Sequence, residues 1–254
     1  MRFLSALILS VLLLIPYFVF SQGTGFLPEE IVSKYSFNAS SSFNNFFFHL
    51  FDHVGLQHLL GNLLVIVLFA LILESVLSWL DVLLVFFSSG VLASLFFSFL
   101  NPATFLIGAS AAAAGLMASA LALRPKLSLV LLLLTPLLIN FIVFPFVDYS
   151  INAQKHFLSS QETRFNQEVD VLVSQGRVSE ANAVQQQVER VVEQKETVVV
   201  GVERQEETPT DFWVHVYGAV VGVGFLLLFK RKELRLGVKG FKEMGLSLRE
   251  LVNK

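Results

Sequence analysis

The 254-residue sequence has no cysteine and little charge. Without cysteine, the chain has no disulfide, no thiolate zinc site and no cysteine nucleophile. Charged residues make up 15% of it, whereas ordinary soluble domains have about 25%. The formal net charge of −2 supplies no basic field for nucleic acid. These shortages exclude a disulfide-rich secreted domain and a nucleic-acid-binding protein, and the 54% of hydrophobic residues excludes a disordered chain.

The few charges are separated by apolar runs that are long enough to cross a bilayer. A spanning helix needs about 20 mostly apolar residues. Six runs approach this length: Phe3–Phe20, Leu59–Trp79, Val82–Leu100, Phe105–Leu123, Leu127–Phe146 and Phe212–Phe229. The first is longer than the apolar part of a secretory signal, so we interpret it as an uncleaved span. The sequence therefore predicts an all-α polytopic membrane protein with six transmembrane helices.

Basic residues predict how these helices cross the membrane. Six spans place both termini on one side, and that side then carries Arg2, the loop of Arg124 and Lys126, and the basic tail. Lys and Arg in short loops favour the cytoplasm. We therefore expect a cell-membrane protein with cytoplasmic termini. The tail acts either as a contact with anionic lipid or as a plain topology anchor.

An insert between the last two spans has a composition of its own. Apolar residues recur at helical spacing on both sides of Gly176, which predicts an amphipathic helical hairpin outside the membrane. Its role stays open between a spacer or stabilising cap and a gate over a site beneath it. The predicted organisation is core helices in residues 1–149, the insert in 150–209, a sixth span in 210–230 and a basic cytoplasmic tail in 231–254.

Polar side chains within the spans are the candidates for function, because polar groups are costly in lipid. His58 and Asn62 lie four residues apart and so share one helix face. Ser110 lies in the small-residue start of the fourth span, and His215 lies one turn before Gly218 in the sixth. Spans two, four and six start on the same side in the predicted topology, which places these side chains at one depth.

A shared depth permits a serine nucleophile with a histidine general base. His58 and Asn62, with the amino end of the fourth helix, would then stabilise an oxyanion. Each feature also has a structural interpretation. Taken alone, the small residues around Ser110 favour close helix packing, and a histidine at a span end can simply lie at the headgroup level.

Together these motifs resemble the rhomboid intramembrane serine proteases. The matching residues are His53, His58 and Asn62 at the start of the second span, Gly108 and Ser110 at the start of the fourth, and His215, Gly218 and Gly222 in the sixth. The resemblance covers roughly residues 1–149 and 210–230. Ala111 stands where the family usually has Gly, and Ala114 where bacterial members often have Tyr. The insert is also unusual for the family.

The resemblance implies a six-helix rhomboid-like bundle and a serine endopeptidase that cleaves transmembrane segments of membrane proteins. His215 would deprotonate Ser110, while His58, Asn62 and the Ser110 backbone N–H hold the oxyanion. The supporting residues are His53 and Gly108, with Gly218 and Gly222 in helix packing. No metal or cofactor is implied. The expected partners are transmembrane substrates and the lipid bilayer, with no nucleic acid.

Two other functions fit parts of the pattern. A catalytically inactive rhomboid-like protein would bind transmembrane segments without cutting them. The presence of Ser110 and His215 argues against it, whereas Ala111 and Ala114 argue for it. A small transporter would line a path with the same polar groups, but more intramembrane charge and an internal repeat are expected there. The protease is the function that the sequence favours.

Overall fold

The protein is described from a computed structural model, which covers residues 3–21, 24–207 and 212–252. This part of the chain is nearly all helical and contains no β-strand, which confirms the predicted all-α class. In chain order the helices are α1 (Leu4–Ser21), α2 (Glu29–Tyr35), α3 (Asn45–Phe48), α4 (Leu56–Glu74), α5 (Trp79–Leu100), α6 (Ser110–Leu123), α7 (Pro125–Leu138), α8 (Phe144–Ser174), α9 (Val178–Glu207), α10 (Phe212–Phe229) and α11 (Arg231–Val252).

Five helices among the described residues are long and apolar enough to cross a membrane. They are α1, α4, α5, α10 and a continuous helix that includes α7 and α8. The predicted fourth span, α6, is also apolar but has only 14 residues, or about 21 Å of helix. It packs against α10, α5 and α4. Because protein surrounds it, α6 lies at the centre of the bundle without having to match the lipid thickness.

The predicted fourth span begins too early. Residues 101–109 form a loop, and the helix starts only at Ser110. Gly108 in this loop has a φ of +105°, which lies in a region that is incompatible with a right-handed helix. The apolar composition from Phe105 onward suggested a longer span, because hydropathy does not record backbone conformation.

The fifth span does not end where its apolar run ends. The helix continues from α7 through a π-helical turn, Ile139–Val143, into α8. The sequence from Phe146 to Ser174 contains no Gly or Pro that would end a helix. The predicted border between core and insert, at residues 149 and 150, therefore lies inside one uninterrupted helix.

The insert forms the predicted helical hairpin. Helices α8 and α9 pack against each other, and Gly176, with a φ of +74°, turns the chain between them. Lys195 Nζ and Glu162 Oε2 form an ion pair of 2.8 Å across the two helices. The combined α7–α8 helix is about 75 Å long against a hydrocarbon thickness of about 30 Å. The hairpin therefore extends well beyond the bundle.

At the end of the bundle opposite the hairpin, charged side chains connect neighbouring helices. Glu74, at the end of α4, accepts hydrogen bonds from the backbone N–H groups of Phe3 and Ser5 at the start of α1. Lys230, after α10, forms an ion pair of 2.7 Å with Asp81 at the start of α5. Arg2 lies outside the described part, as do residues 208–211 at the border of insert and sixth span and residues 253–254 of the predicted tail.

The basic tail forms a helix, α11, at this same end. An added Cβ on Gly237 would overlap the backbone oxygen of Ala122, and one on Gly240 would lie 3.4 Å from Cγ of Pro125. These glycines let α11 lie directly on the turn between α6 and α7. Among the side chains of α11 that the structure describes, the exposed basic ones are Arg231, Lys232, Arg235, Lys239 and Lys242. Contact of these side chains with anionic lipid stays a prediction.

Candidate active site

Helices α6 and α10 pack backbone against backbone. An added Cβ on Gly218 would overlap the backbone oxygen of Ala111 and lie 2.8 Å from its carbonyl carbon. One on Gly222 would lie 2.5 Å from the backbone oxygen of Gly115. Each contact advances by four residues along both helices, so α6 and α10 run in the same direction. The GxxxG face therefore packs as the sequence predicted.

This packing places His215 and Ser110 at the same end of two adjacent helices. His215 precedes Gly218 by three residues, so it extends the packed face of α10 by one turn. Ser110 is the first residue of α6. Both side chains are half-buried. We call the end of the bundle where α4, α6 and α10 begin the site end.

The loop before α6 crosses the first turn of α4. An added Cβ on Gly108 would lie 2.6 Å from Cε1 and 3.0 Å from Nε2 of His58. Glycine is required here both by this close approach and by the positive φ. The ring centroids of His58 and His53 are 4.9 Å apart, and His58 also interacts electrostatically with His215. His53 and His58 thus lie together at the site end, and His215 is near enough to His58 for their charges to interact.

His53 holds the loop before α6 through a hydrogen bond. Its Nε2 accepts a hydrogen bond of 3.4 Å from the backbone N–H of Ala109, and its Nδ1 lies 3.2 Å from the backbone oxygen of Phe51. These partners assign the neutral tautomer with the proton on Nδ1. Burial and the neighbouring His58 lower the pKa of His53 well below its ordinary value, which favours the neutral form. His53 is therefore placed as a support for the start of α6.

Asn62 presents a hydrogen-bond donor from the second turn of α4. Its side chain is buried, and its Nδ2 has no hydrogen-bond partner among the described residues. A buried donor without a partner is costly. The first backbone N–H groups of α6 also lack acceptors within the helix. These donors, together with His58, are the groups that an oxyanion site needs.

A protein-family model identifies the domain. The model of the Rhomboid domain matches residues 40–161. Residues 40–161 therefore form a Rhomboid domain. The family consists in general of intramembrane serine proteases, and the chain is accordingly a multi-pass membrane protein. Neither the curated proteins nor the solved structures that were compared with the chain gave a match.

The rhomboid match includes the candidate site residues before the insert but not those on α10. It includes the residues on α4 and at the start of α6, which are His53, His58, Asn62, Gly108 and Ser110. His215 and the packing glycines of α10 follow the insert and lie beyond the matched residues. The α6–α10 contact is therefore a structural observation that adds to the family match.

The rhomboid domain contains a buried serine–histidine pair, His49 and Ser94, which sequence reasoning missed. His49 Nε2 lies 2.9 Å from Ser94 Oγ, and His49 Nδ1 lies 2.9 Å from the backbone oxygen of Asn45. The His49 ring also stacks on Phe37, with centroids 5.2 Å apart. Both members of the pair are fully buried, and burial lowers the pKa of His49 to about 4. The pair attaches the loop before α4 to α5. Only the position of His49 in an aromatic run hinted at a packing role.

Asp52 gives the rhomboid domain a predicted pH-dependent stability. The carboxyl group is buried, and burial raises its pKa from 3.8 to about 7. Between about pH 4 and pH 7 the unfolded chain therefore loses a proton that the folded protein keeps. The free energy of unfolding falls over this range by about 4 kcal/mol and stays lower above it. We expect Asp52→Asn to remove this fall and to be more stable than the native protein above pH 7.

Thermal unfolding in detergent between pH 4 and pH 8 measures the effect. The matched control is Asp148→Asn, because the Asp148 side chain is exposed. This control is expected to keep the native pH dependence. Parallel stability curves for the native protein and Asp52→Asn would show that the Asp52 carboxyl is not protonated in the folded state.

Proposed function

We propose that this chain, which contains a Rhomboid domain, is an intramembrane serine endopeptidase that cleaves transmembrane segments of membrane proteins. Ser110 is the nucleophile and His215 is the general base. The observation that supports the proposal is the backbone-close packing of α10 on α6. His215 lies one turn along the face of α10 that meets the start of α6. The reaction needs no metal or cofactor.

In the proposed reaction, His215 accepts the proton of Ser110 Oγ as this oxygen attacks the carbonyl carbon of the scissile peptide. The oxyanion of the tetrahedral intermediate accepts hydrogen bonds from Asn62 Nδ2, His58 and the backbone N–H of Ser110. His215 then gives its proton to the leaving amine, and an acyl-enzyme remains. Water, deprotonated by His215, attacks the ester and releases the second product.

The substrate class follows from the surroundings of Ser110. The site lies at the end of a bundle whose outer surface is apolar, so a membrane segment can approach from the lipid. Peptide bonds in a membrane helix are hidden until the helix unwinds, and the donors near Asn62 would stabilise such an unwound segment. The basic residues on α11 support cytoplasmic termini in the cell membrane and a site that opens to the other side.

The same proposal keeps the organisation given by the sequence. Residues 1–149 and 210–230 form the catalytic core. Residues 150–209 form an extramembrane insert, even though its first helix is continuous with a core helix. Residues 231–254 form a cytoplasmic basic tail on the lipid surface.

Labelling with a serine-directed fluorophosphonate, followed by peptide mapping, tests the proposal. We expect one labelled residue, Ser110, and no labelling of Ser110→Ala. The matched control is Ser94→Ala, which removes the serine of the buried pair with His49 and is expected to label like the native protein. Labelling that persists in Ser110→Ala would refute the assignment of the nucleophile.

The second candidate is a catalytically inactive rhomboid-like protein that binds transmembrane segments. It is favoured by Ala114, which stands in α6 where bacterial members of the family often have a tyrosine. This candidate predicts a folded protein that does not react with the fluorophosphonate but still co-purifies with single-span membrane proteins. The labelling experiment therefore separates the two functions.

A further inference from the structure

Phe26, in the segment between α1 and α2, is inserted into the base of the α8–α9 hairpin. Its side chain is fully buried in a cluster whose other members all belong to the hairpin. These are Leu158, Val191 and Val198, with Ile151, Phe165 and Val202 at the edge. An added Cβ on Gly201 would overlap the Phe26 ring and lie 2.6 Å from Phe26 Cβ. The absence of a side chain at Gly201 thus makes room for Phe26.

The backbone around Phe26 is tied to the start of α4. Phe26 forms an isolated antiparallel bridge with Gly55, the residue before α4. The N–H of Leu56 donates to the oxygen of Gly25 at 3.0 Å, and the N–H of Leu27 donates to the oxygen of Val54 at 3.3 Å. His58 follows within the first turn of the same helix. Phe26 therefore links the hairpin to the helix that carries His58 and Asn62.

The hairpin continues into α7, which belongs to the least buried of the five candidate spans. Only 11% of the apolar window of the α7–α8 helix is buried, against 56% for α5. Helix α6, which carries Ser110, is covered mainly by α10, α5 and α4, and more sparsely by α7. A membrane segment that approaches Ser110 from the lipid meets the least protein on the α7 side. Since α7 continues into α8, the position of the hairpin also sets the position of α7.

We propose that Phe26, seated on Gly201, is a releasable clamp that holds the site end of α7 against the start of α4 and limits the access of membrane segments to Ser110. The regulatory part of this inference rests on the proposed protease function. The clamp assigns the insert the role of a gate. Release of the Phe26 ring frees the hairpin, and α7 with it, to move away from α4.

Two variants remove the clamp from opposite sides. Phe26→Ala deletes the ring, and Gly201→Ala fills the space that the ring occupies. If one of them fails to fold, the other still tests the contact. The matched control is Phe43→Ala, which removes the same side chain from an exposed position between α2 and α3, where Phe43 is 79% exposed.

The absence of native cysteine allows a direct distance measurement. Spin labels on Ala39→Cys between α2 and α3 and on Gln185→Cys on α9 report the distance between this segment and the hairpin in the full chain, reconstituted in lipid vesicles. We expect one narrow distribution in the native background and in Phe43→Ala. Both clamp variants are expected to give a broader distribution that is shifted to longer distances. An unchanged distribution in either folded clamp variant would overturn the clamp.

Activity in the same vesicles tests the gate. We expect both clamp variants to cleave a single-span model substrate roughly tenfold faster than the native protein. Labelling by a small water-soluble fluorophosphonate should be unchanged, because this reagent does not enter from the lipid. A longer distance without faster cleavage would overturn the gate. If the native protein shows no labelling at all, the proposed function fails, and the distance distribution by itself decides whether Phe26 holds the hairpin.

Discussion

His215→Ala is expected to lower the rate of cleavage of a single-span substrate by roughly a thousandfold or more. Without its general base, the Ser110 hydroxyl remains protonated at neutral pH and is a weak nucleophile. The leaving amine also loses its proton donor. Because the two residues act as one unit, His215→Ala combined with Ser110→Ala should be no slower than either single variant.

Single-turnover cleavage in vesicles gives this rate without a contribution from product release. The matched control is His156→Ala, since His156 is an exposed histidine on the hairpin, and it should cleave at the native rate. A His215→Ala variant that retains more than about a tenth of the native rate would assign the base elsewhere. His58 would then be the next residue to test, because it interacts electrostatically with His215.

Gly218→Ala is expected to lower both the stability and the activity of the protein, whereas Gly224→Ala on the same helix keeps the native activity and is at least as stable as the native protein. The added Cβ at Gly218 overlaps the backbone of Ala111, which cannot rotate away. Helix α10 must therefore move outward, and overpacking of this kind costs about 1–3 kcal/mol. The same movement displaces His215 from Ser110, and a misplacement of about 1 Å can reduce a rate by about a hundredfold.

Gly224 is a strict control for this substitution. An added Cβ there meets nothing within 4 Å, so Gly224→Ala retains only the gain in helix propensity, which is up to about 1 kcal/mol. Unfolding in detergent and the rate of fluorophosphonate labelling measure the two effects. Equal stability and equal labelling in the two variants would show that α10 does not pack on α6 through Gly218.

The sequence selected the candidate site residues, whereas it misplaced two helix boundaries. Spacing alone selected His58, Asn62 and the start of α6, because each motif is local and lies within a few residues of a span end. The α6 boundary and the end of the fifth span were misplaced for a different reason. Hydropathy shows which residues can lie in lipid, but it does not show where a helix begins or ends. The start of α6 depends on the positive φ of Gly108, and the fifth span continues as a helix beyond its apolar run because α7 leads into α8.

The roles of the histidines needed the tertiary structure. His53 and His58 look equivalent in the sequence, but one accepts a backbone N–H of the α6 loop and the other lies against Gly108 and interacts with His215. His49 carried no functional signal and proves to be buried against Ser94. The role of each histidine depends on which groups from distant segments of the chain contact its two ring nitrogens.

By itself, the sequence determined that this protein is a membrane-embedded helical bundle with a helical insert and a small set of polar candidates. These features follow from local composition and periodicity, because the transfer of side chains into lipid and the helical repeat act over a single segment. Only the tertiary structure decided the register of α10 on α6 and the seating of Phe26 on Gly201. Both contacts join segments that lie far apart in the chain. The sequence shows where a glycine leaves space for a close approach, but only the folded structure shows which residue fills that space.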